Sequence, residues 1–440
     1  MKTTNVSRIT NLILSTASLL LLLSSTVNAE NLSQIYELAK QNDPKFKSAK
    51  ALLDSAYESV KITRGNFMPD VGLTASYTEN DTDNVTSPDG GTTYYAINLT
   101  QPIYRSDINA NHSLNKNYVL QAEADFAEAE QELIIRVATQ YFAVLGAQDN
   151  FDFTQAELKA NARQLEQTKQ RFEVGLVAIT DVHEAQARYD LSVANNIEAE
   201  NKLNNEIEAM RAITGQYHSG LSPLKSEEEL ENTSALQAPE PNDIEYWTKL
   251  ALEQNKTLLS SQYKSAQSRD GVNVQKAGHK PRLDFTASSS RSDSDNGTYD
   301  NTSMGIQFSM NLFNGGSTSA AVRQAEDYLT QSMELLETAR RDTQRNARNS
   351  FLGVQAAVSQ VKALKQAVVS SESRLKASEA GYEVGTRTTV DVLDARRELF
   401  DSQRRYSRAR YDYILVKLKL EQTVGNLNLE DVNNVNGWLQ

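Results

Sequence analysis

The chain of 440 residues contains the stretch GYEVGTRTTVDV at residues 381–392 and a closely matching stretch, RFEVGLVAITDV, at residues 171–182. The two stretches lie 210 positions apart, and the match continues without a gap as far as Gly215 and Gly425. Solenoid repeats have periods of about 20 to 50 residues, far shorter than this one. The sequence therefore predicts an internal duplication with two similar, domain-sized halves.

The same order of elements is predicted in both halves, which form a first structural repeat over 30–242 and a second over 243–440. Each repeat opens with helical sequence, passes through a β-hairpin, and continues as a long helix and a shorter return helix. In the first repeat these elements are predicted at 32–66, 69–104, 108–174 and 181–214, followed by an acidic, proline-containing linker over 216–242. In the second repeat they are predicted at 244–279, 281–313, 318–384 and 391–424, followed by a short tail.

Both predicted hairpins rest on alternation of apolar and polar residues. Apolar residues occupy every second position in four segments: Val71, Leu73, Ala75 and Tyr77; Tyr95, Ile97 and Leu99; Leu283, Phe285 and Ala287; Met304, Ile306, Phe308 and Met310. This alternation predicts strands with one apolar and one polar face. Polar segments at 78–93 and 289–302 are predicted to be loops, and 101–102 and 314–316 are predicted to end the second strands.

The DSDNG segment at 293–297 resembles the start of a calcium-binding loop. Its glycine stands at the fifth place, whereas such a loop needs glycine at the sixth, and the twelfth place is Met304. We therefore interpret this segment as a solvated loop.

The two long helices, predicted at 108–174 and 318–384, contain no proline. A helix of this length would extend about 100 Å. In the first, nine of twelve residues are apolar in a series of alternating three- and four-residue steps from Ile134 to Phe172, and eight of twelve are apolar in the matching series from Gln344 to Tyr382. This spacing predicts coiled-coil packing, with the return helices antiparallel to the long ones.

The beginning of the chain has the layout of a secretory signal. Lys2 and Arg8 accompany a mostly apolar segment at 12–23, and small residues follow at 27–29. This layout predicts a signal peptide over residues 1–29, cleaved near Ala29. The chain has no cysteine, so disulfides cannot contribute to its stability after export. Its net charge of −12 argues against a nucleic-acid partner.

The strand count bears on membrane insertion and assembly. After the signal peptide no stretch approaches about 18 consecutive apolar residues, which excludes a helical membrane protein and leaves a β-barrel. Four strands are too few to close a barrel, and open strand edges cannot lie in lipid. Two copies would give a barrel about 16 Å wide that its own side chains fill, whereas three would give twelve strands and about 24 Å. A pore therefore favours a homotrimer; a soluble β-sandwich is the alternative.

Several runs of the chain resemble the TolC family of outer-membrane factors. They are Glu30-Asn31-Leu32 and the segments at 170–182, 365–370 and 385–395, and the similarity covers essentially the whole chain after the predicted signal peptide. The sequence departs from the family in its outer loops and in a short tail that ends at 438–440.

This resemblance implies a homotrimer in the outer membrane of a Gram-negative cell. It implies a fold of the α+β membrane class, with a twelve-stranded transmembrane β-barrel that continues into the periplasm as a long α-helical barrel. The implied function is export of small toxic compounds, secreted proteins, or both, through multidrug efflux and type I secretion. The implied partners are outer-membrane lipid, a periplasmic adaptor protein and an inner-membrane transporter of the RND, ABC or MFS class.

Two acidic pairs mark the predicted starts of the return helices, Asp391 with Asp394 and Asp181 with Glu184. Acidic residues in the first turn of a helix cap its free N–H groups and suit its dipole, which by itself explains both pairs. The resemblance further implies that Asp391 and Asp394 line a periplasmic aperture, where three copies would place six carboxylates around one axis.

The resemblance also implies contacts that hold the aperture closed. Arg387, which replaces Val177 of the first repeat, and Tyr382 would bond to Thr180 and Asp181. Further closing contacts would involve Gln164, Gln170, Glu379 and Arg410.

Catalysis finds little support in the sequence. The four histidines, at 112, 183, 218 and 279, lack metal-ligand spacing, and no phosphate-binding loop or nucleophile motif is present. We therefore predict neither an enzyme nor a metal site nor a cofactor. Two alternatives to an efflux channel remain open: a trimeric structural or adhesive coiled-coil protein, and a related channel for metal export, which no Met- or His-rich segment favours.

Overall fold

A computed structural model describes residues 29–81, 90–218, 220–226, 236–295 and 297–440. The predicted signal peptide, apart from Ala29, lies outside these residues, as do the middle of the first predicted loop and part of the linker. The described helices and strands are α1 Leu32–Asn42, α2 Pro44–Gly65, β1 Asp70–Asn80, β2 Gly90–Arg105, α3 Ser106–Glu173, α4 Ile179–Thr214, α5 Ile244–Gln254, α6 Lys256–Lys276, β3 Arg282–Ser294, β4 Gly297–Ser309, α7 Ser317–Glu383, α8 Thr389–Val424 and α9 Leu429–Asn436.

The helical segment that opens each repeat consists of two helices. In the first repeat, Asp43 ends α1 and caps α2 by accepting a hydrogen bond from the Phe46 N–H, and Pro44 occupies the first position of α2. In the second repeat, Asn255 divides α5 from α6 in the same way, accepting from the Leu258 N–H. A capping side chain satisfies N–H groups at a new helix start, which stabilises the break.

The four strands form one antiparallel sheet in the order β1-β2-β3-β4, so the pairing of β2 with β3 joins the two repeats. The strands are longer than predicted. Strand β2 continues through Pro102 to Arg105, with an irregularity in its register between Pro102 and Tyr104 where proline has no N–H to donate.

The predicted loop at 289–302 is wrong, because β3 and β4 occupy nearly all of it. Polar residues face each other across the two strands here, whereas apolar residues do so nearer the start of β3. Arg291 Nε lies 2.7 Å from Asp300 Oδ1, and Thr298 Oγ1 donates to Asp293 Oδ1 at 2.8 Å. Opposite charges and hydroxyls on facing positions stabilise a strand pair, so a polar sequence here forms a hairpin.

The register of the sheet places the apolar residues of all four strands on one face. Val71 faces Leu99, Leu99 faces Ala287, and Ala287 faces Met304, so one row crosses the sheet. These side chains have no cover in the single chain: Val71 is 61% exposed and Met304 is 76% exposed. The opposite face carries polar contacts such as Ser288 Oγ to Asn98 Oδ1 at 2.8 Å.

The apolar core lies where short helices α1, α5 and α9 cover the middle of the long helices. Tyr141 of α3 and Tyr413 of α8 are fully buried there, and the Tyr141 hydroxyl donates to the Ser222 carbonyl at 2.8 Å, which fixes the linker. Toward the helix turns Leu165 is buried as well, but most of the buried residues of α3 are polar: Thr154, Glu157, Asn161, Gln164 and Thr168. The predicted apolar series holds only in part here, since its members Ala162 and Phe172 are exposed in the single chain.

Four helices pack side by side along the molecule. Near the sheet their order is α2, α3, α6 and α7, and near the helix turns it is α4, α3, α8 and α7. The edge helices of the described chain are therefore α2 and α7 near the sheet, and α4 and α7 near the turns. The edge strands of its sheet are β1 and β4. In the part of the chain that the structure describes, no helix has the combined length and hydrophobicity needed to cross a membrane.

Candidate functional site at the helix turns

The two long helices return through turns of the same geometry. Helix α3 ends at Glu173 and helix α7 at Glu383, and each is followed by a glycine with a positive φ, 76° at Gly175 and 75° at Gly385. Residues with a side chain rarely adopt this left-handed conformation, which explains the glycine in both copies of the repeat. The turns bring the first residues of α4 and α8 to one end of the chain.

Asp391 caps the start of α8. Its Oδ2 accepts from the Thr388 N–H at 2.9 Å, and its own N–H donates to Thr388 Oγ1 at 3.2 Å. The hydrogen bond from the Thr388 N–H lowers the pKa of the Asp391 carboxyl. The hydrogen bond from the Thr388 hydroxyl and the positive charges of Arg387 and Arg374 lower it further. Asp391 is therefore ionised at neutral pH.

Asp181 has the same position in the first repeat and a similar role. Its Oδ2 accepts from the Ala178 N–H at 3.2 Å, at the start of α4. Ala178 offers no side-chain oxygen in return, so this cap is half of the reciprocal pair found at Thr388. The capping interpretation of both aspartates is confirmed.

Asp394 is not a cap but one member of an ion pair between the two repeats. Its Oδ1 accepts from Nη2 of Arg188, on α4, at 3.0 Å. The same guanidinium donates through Nε to Glu184 Oε1 at 3.0 Å. Sequence analysis did not single out Arg188. A signal was present, however, because the position of the second repeat that matches Arg188 is Glu398.

The proposed closing residues are not joined to one another within one chain. The Tyr382 hydroxyl accepts from Thr389 Oγ1 at 3.4 Å, and the guanidinium of Arg171 lies 4.8 Å from the centre of the Tyr382 ring. Thr180 and Arg387 are exposed. Among the described residues no hydrogen bond links Tyr382 or Arg387 to Thr180 or Asp181, so these contacts stay a prediction for an assembly of several chains.

The four remaining predicted contacts have partners in their own chain. Gln164 Nε2 lies 3.5 Å from Thr168 Oγ1, and Gln170 donates to Glu166 at 3.1 Å. Glu379 accepts from Arg396 Nη2 at 2.8 Å, between α7 and α8. Arg410 donates to the Lys225 carbonyl at 2.8 Å, in the linker. Arg410 thus lies about 30 Å along α8 from its start, well away from the turns.

The turns combine three carboxylates with an exposed apolar rim. Asp181, Asp391 and Asp394 lie at or near helix starts, where free N–H groups favour negative charge. Val174, Leu176 and Val384 are 69%, 74% and 74% exposed in the single chain. Such an end can attract cations and can pack against another protein, but it holds no nucleophile beside a base.

A family model and known proteins match this chain over both repeats. The model of the family described as outer membrane efflux protein matches residues 35–216 and 247–426, which are the two repeats. The chain is 39% identical to the outer membrane protein TolC of Vibrio cholerae serotype O1, over 95% of this chain and 96% of the relative. It is 27% identical to the proteases secretion protein PrtF of Dickeya chrysanthemi, over 94% and 92% of the two chains.

Among solved structures the fold resembles the Campylobacter jejuni CmeC outer membrane channel. The TM-score is 0.78 at 17% identity, and the match covers 92% of this chain and 90% of the other.

Proposed function

Because the chain belongs to the outer membrane efflux protein family, we propose that three copies of it form an outer-membrane export channel. In this assembly twelve strands close a transmembrane β-barrel, and the long helices continue it as an α-helical barrel in the periplasm. The observation that carries the proposal is a sheet with two open edges and one exposed apolar face. A single chain cannot place such a sheet in lipid, since the backbone groups of its edges would stay unpaired.

The helices have open edges at the same two sides of the chain as the sheet. Near the sheet the edge helices are α2, on which Ile62 is 69% exposed, and α7, on which Leu335 is 62% exposed. Near the turns they are α7 and α4, on which Ile197 is 61% exposed. A molecule whose two edges differ from each other joins its copies head to tail, and such contacts form a closed ring when the rotation from one copy to the next closes.

Three is the smallest number of copies that leaves room for cargo. At a strand spacing of about 4.8 Å and a tilt of about 40°, eight strands enclose a space that their own side chains fill, whereas twelve give a diameter of about 24 Å. The exposed apolar residues then contact lipid, and the polar face of the sheet lines the lumen.

We propose that the channel exports small toxic compounds, secreted proteins, or both. Export would require docking to a periplasmic adaptor and an inner-membrane transporter of the RND, ABC or MFS class. The exposed apolar residues Val174, Leu176 and Val384 supply a surface for such a partner. The relatedness to PrtF, whose name refers to protease secretion, supports proteins as one class of cargo.

The aperture of this channel is formed by the turns. Asp391 and Asp394 of three copies surround the axis, and the ring is held closed by contacts of Tyr382 and Arg387 with Thr180 and Asp181 of a neighbouring copy. Gln164, Gln170, Glu379 and Arg410 add further contacts between copies. The exposure of Thr180 and Arg387 in the single chain leaves both free to take part.

Native mass measurement of the detergent-extracted protein tests the assembly. We expect three chains per particle, and a stable monomer or dimer would contradict the closing of twelve strands. Crosslinking in whole cells, followed by purification of this chain, tests the partners: an adaptor and an inner-membrane transporter should be captured together with it.

A further inference from the structure

The charges of the two return helices differ at one pair of matching positions. In the first repeat Glu184 and Arg188 lie four residues apart on α4, which is a favourable spacing for an ion pair. The matching residues of the second repeat are Asp394 and Glu398, two acids at the same spacing on α8. Like charges in this arrangement repel each other and destabilise a helix. In the structure, each of these two acids pairs with an arginine from another helix.

The structure supplies the two cations from different places. Glu398 pairs with Arg374 of the neighbouring α7, which belongs to the same repeat. Asp394 pairs with Arg188 of α4, which belongs to the other repeat. One guanidinium thus bridges Glu184 and Asp394, and its side chain is 24% exposed, which leaves it partly shielded from water. An arginine suits this role because its planar fork of donors can serve two carboxylates at once.

The contacts between the repeats change in kind along the molecule. In the core, Phe142 of α3 stacks on Tyr411 of α8 at 5.5 Å, and the Tyr411 hydroxyl donates to Asp149 at 2.8 Å. Further along, Arg404 of α8 lies 3.5 Å from Glu157 of α3. Nearest the turns, the guanidinium of Arg171 lies 4.8 Å from the centre of the Tyr382 ring, and Arg188 pairs with Asp394. At the end that carries the acidic residues, charged side chains therefore make the contacts between the repeats named here.

We propose that Arg188 is the built-in counter-ion of the aperture. It neutralises Asp394 in each copy, so half of the six carboxylates of the ring carry a partner, and it ties α4 to α8 in the resting state. Arg188 is a positioning residue that sets how strongly the aperture attracts cations and how wide it rests. This inference rests on the proposed channel function, since it assigns a role to a residue at the aperture.

Arg188→Gln tests the inference in planar bilayers, with block of the current by a trivalent cation from the side of the turns as the main readout. We expect block at least about threefold tighter than in the parent, because each copy loses a positive charge beside the ring. Cation preference and resting conductance should both rise. Arg188→Lys should return the block toward the parent value, since the charge is restored without the fork of donors.

The matched control is Arg211→Gln, which removes the same charge from the same helix. Arg211 bonds to Glu208 and Tyr217 at the far end of α4. This variant should leave block and conductance at parent values. A swapped variant, Arg188→Asp with Asp394→Arg, keeps the net charge and should recover the parental resting conductance. Native mass measurement confirms that each variant assembles as the parent does.

The inference would be overturned if Arg188→Gln channels behaved like Arg211→Gln channels, whether the block stayed at the parent value in both variants or tightened equally in both.

The proximity of Arg188 and Asp394 can be measured without recording any current. Because the chain has no cysteine, a variant with Arg188→Cys and Asp394→Cys offers the only two thiols for a short bifunctional reagent. A crosslink within one chain, together with a parent that conducts no ions, would refute the proposed channel while confirming the pair. No crosslink in a conducting parent background would refute the pair alone.

Discussion

At the scale of single residues, Asp391 and Asp394 lie one turn apart on α8 and are held by different partners. Asp391 is held by hydrogen bonds from Thr388, whereas Asp394 is held by the guanidinium of Arg188. Capping and a role at the aperture are compatible, because a carboxylate that accepts from a backbone N–H keeps its full charge. The hydrogen bonds that lower the Asp391 pKa keep the Asp391 carboxylate charged as the medium becomes acidic, which suits its proposed place in the ring.

The first prediction concerns these two aspartates. Asp391→Ala combined with Asp394→Ala should lower cation preference and remove most of the block by multivalent cations, because six charges leave the axis of a trimer. Asp412→Ala is the matched control, since Asp412 is an exposed carboxylate on the same helix, far from the turns. Ion selectivity and block in planar bilayers measure the effect. If the control loses the block and the double variant keeps it, the ring lies elsewhere.

The second prediction concerns Glu421, a half-buried residue near the end of α8. Burial, with repulsion from Asp431, raises the pKa of its carboxyl from 4.5 to about 7, although the charge of Lys417 acts in the opposite direction. Between about pH 4.5 and about pH 7 the folded state therefore keeps a proton on Glu421 that the unfolded chain has released. The contribution of Glu421 to the free energy of unfolding is complete below about pH 4.5 and is lost as the pH rises to about 7.

Thermal unfolding of detergent-extracted protein at pH 5 and pH 8 checks this sign. Glu421→Gln should raise the melting temperature at pH 8 and reduce the difference between the two pH values. Glu372→Gln, on the exposed surface of α7, should change neither. A Glu421→Gln variant that is less stable than the parent at pH 8 would show that the carboxylate has a favourable partner when ionised.

At the scale of elements, the two repeats use equivalent glycines under different constraints. Gly215 and Gly425 end α4 and α8 with φ of 80° and 82°. A Cβ at Gly215 would lie 3.6 Å from Asn42 Cβ, an ordinary contact, whereas a Cβ at Gly425 would lie 2.7 Å from the carbonyl carbon of Gln254. Gly425 therefore allows α8 to approach the backbone between α5 and α6.

The third prediction follows from this difference. Gly215→Ala should destabilise the protein by about 1–2 kcal/mol, the strain of a left-handed residue with a side chain. Gly425→Ala should cost clearly more, because backbone atoms must also move, and we expect a lower melting temperature or failure to assemble. The yield and melting temperature of the two variants measure the difference. Equal effects would mean that the joint between α5 and α6 adapts freely.

The long helices and the faces of the strands could be predicted from the sequence, whereas the breaks between the short helices and the pairing of distant residues could not. Long apolar series without proline gave α3 and α7 to within two residues at each end, and strict alternation gave the strand faces. The helices that open each repeat were predicted without the positions of their breaks at Asp43 and Asn255, because a cap inside a helical pattern is a local signal that the apolar spacing hides. The pairing of Arg188 with Asp394 could not be read from spacing, since it joins positions 206 residues apart whose closeness depends on how α4 and α8 pack.

At the scale of the whole molecule, the open sheet edges, the edge helices and the exposed apolar face support the proposed assembly of several copies in a lipid surface. The family is that of outer membrane efflux proteins, and the match over both repeats agrees with a fold in which each repeat supplies one hairpin and one helix pair.

The fourth prediction tests which face of the sheet meets lipid. Leu73 and Thr74 are neighbours on β1 and point to opposite faces. Leu73→Lys should reduce insertion, because a lysine on the lipid face costs about 2–4 kcal/mol near the middle of the bilayer. Thr74→Lys should insert normally, since it faces the lumen. The amount of assembled protein in the outer-membrane fraction distinguishes the two, and the reverse order would invert the assignment of faces.

The central claim is that copies of this chain enclose a continuous water-filled path with a narrow end at the helix turns. Single-channel conductance of the purified assembly in a planar bilayer tests it most directly. We predict discrete, stable current steps with a preference for cations, blocked by multivalent cations added on the side of the turns only. Correctly inserted assemblies that pass no current would contradict the account and favour a trimeric structural or adhesive protein.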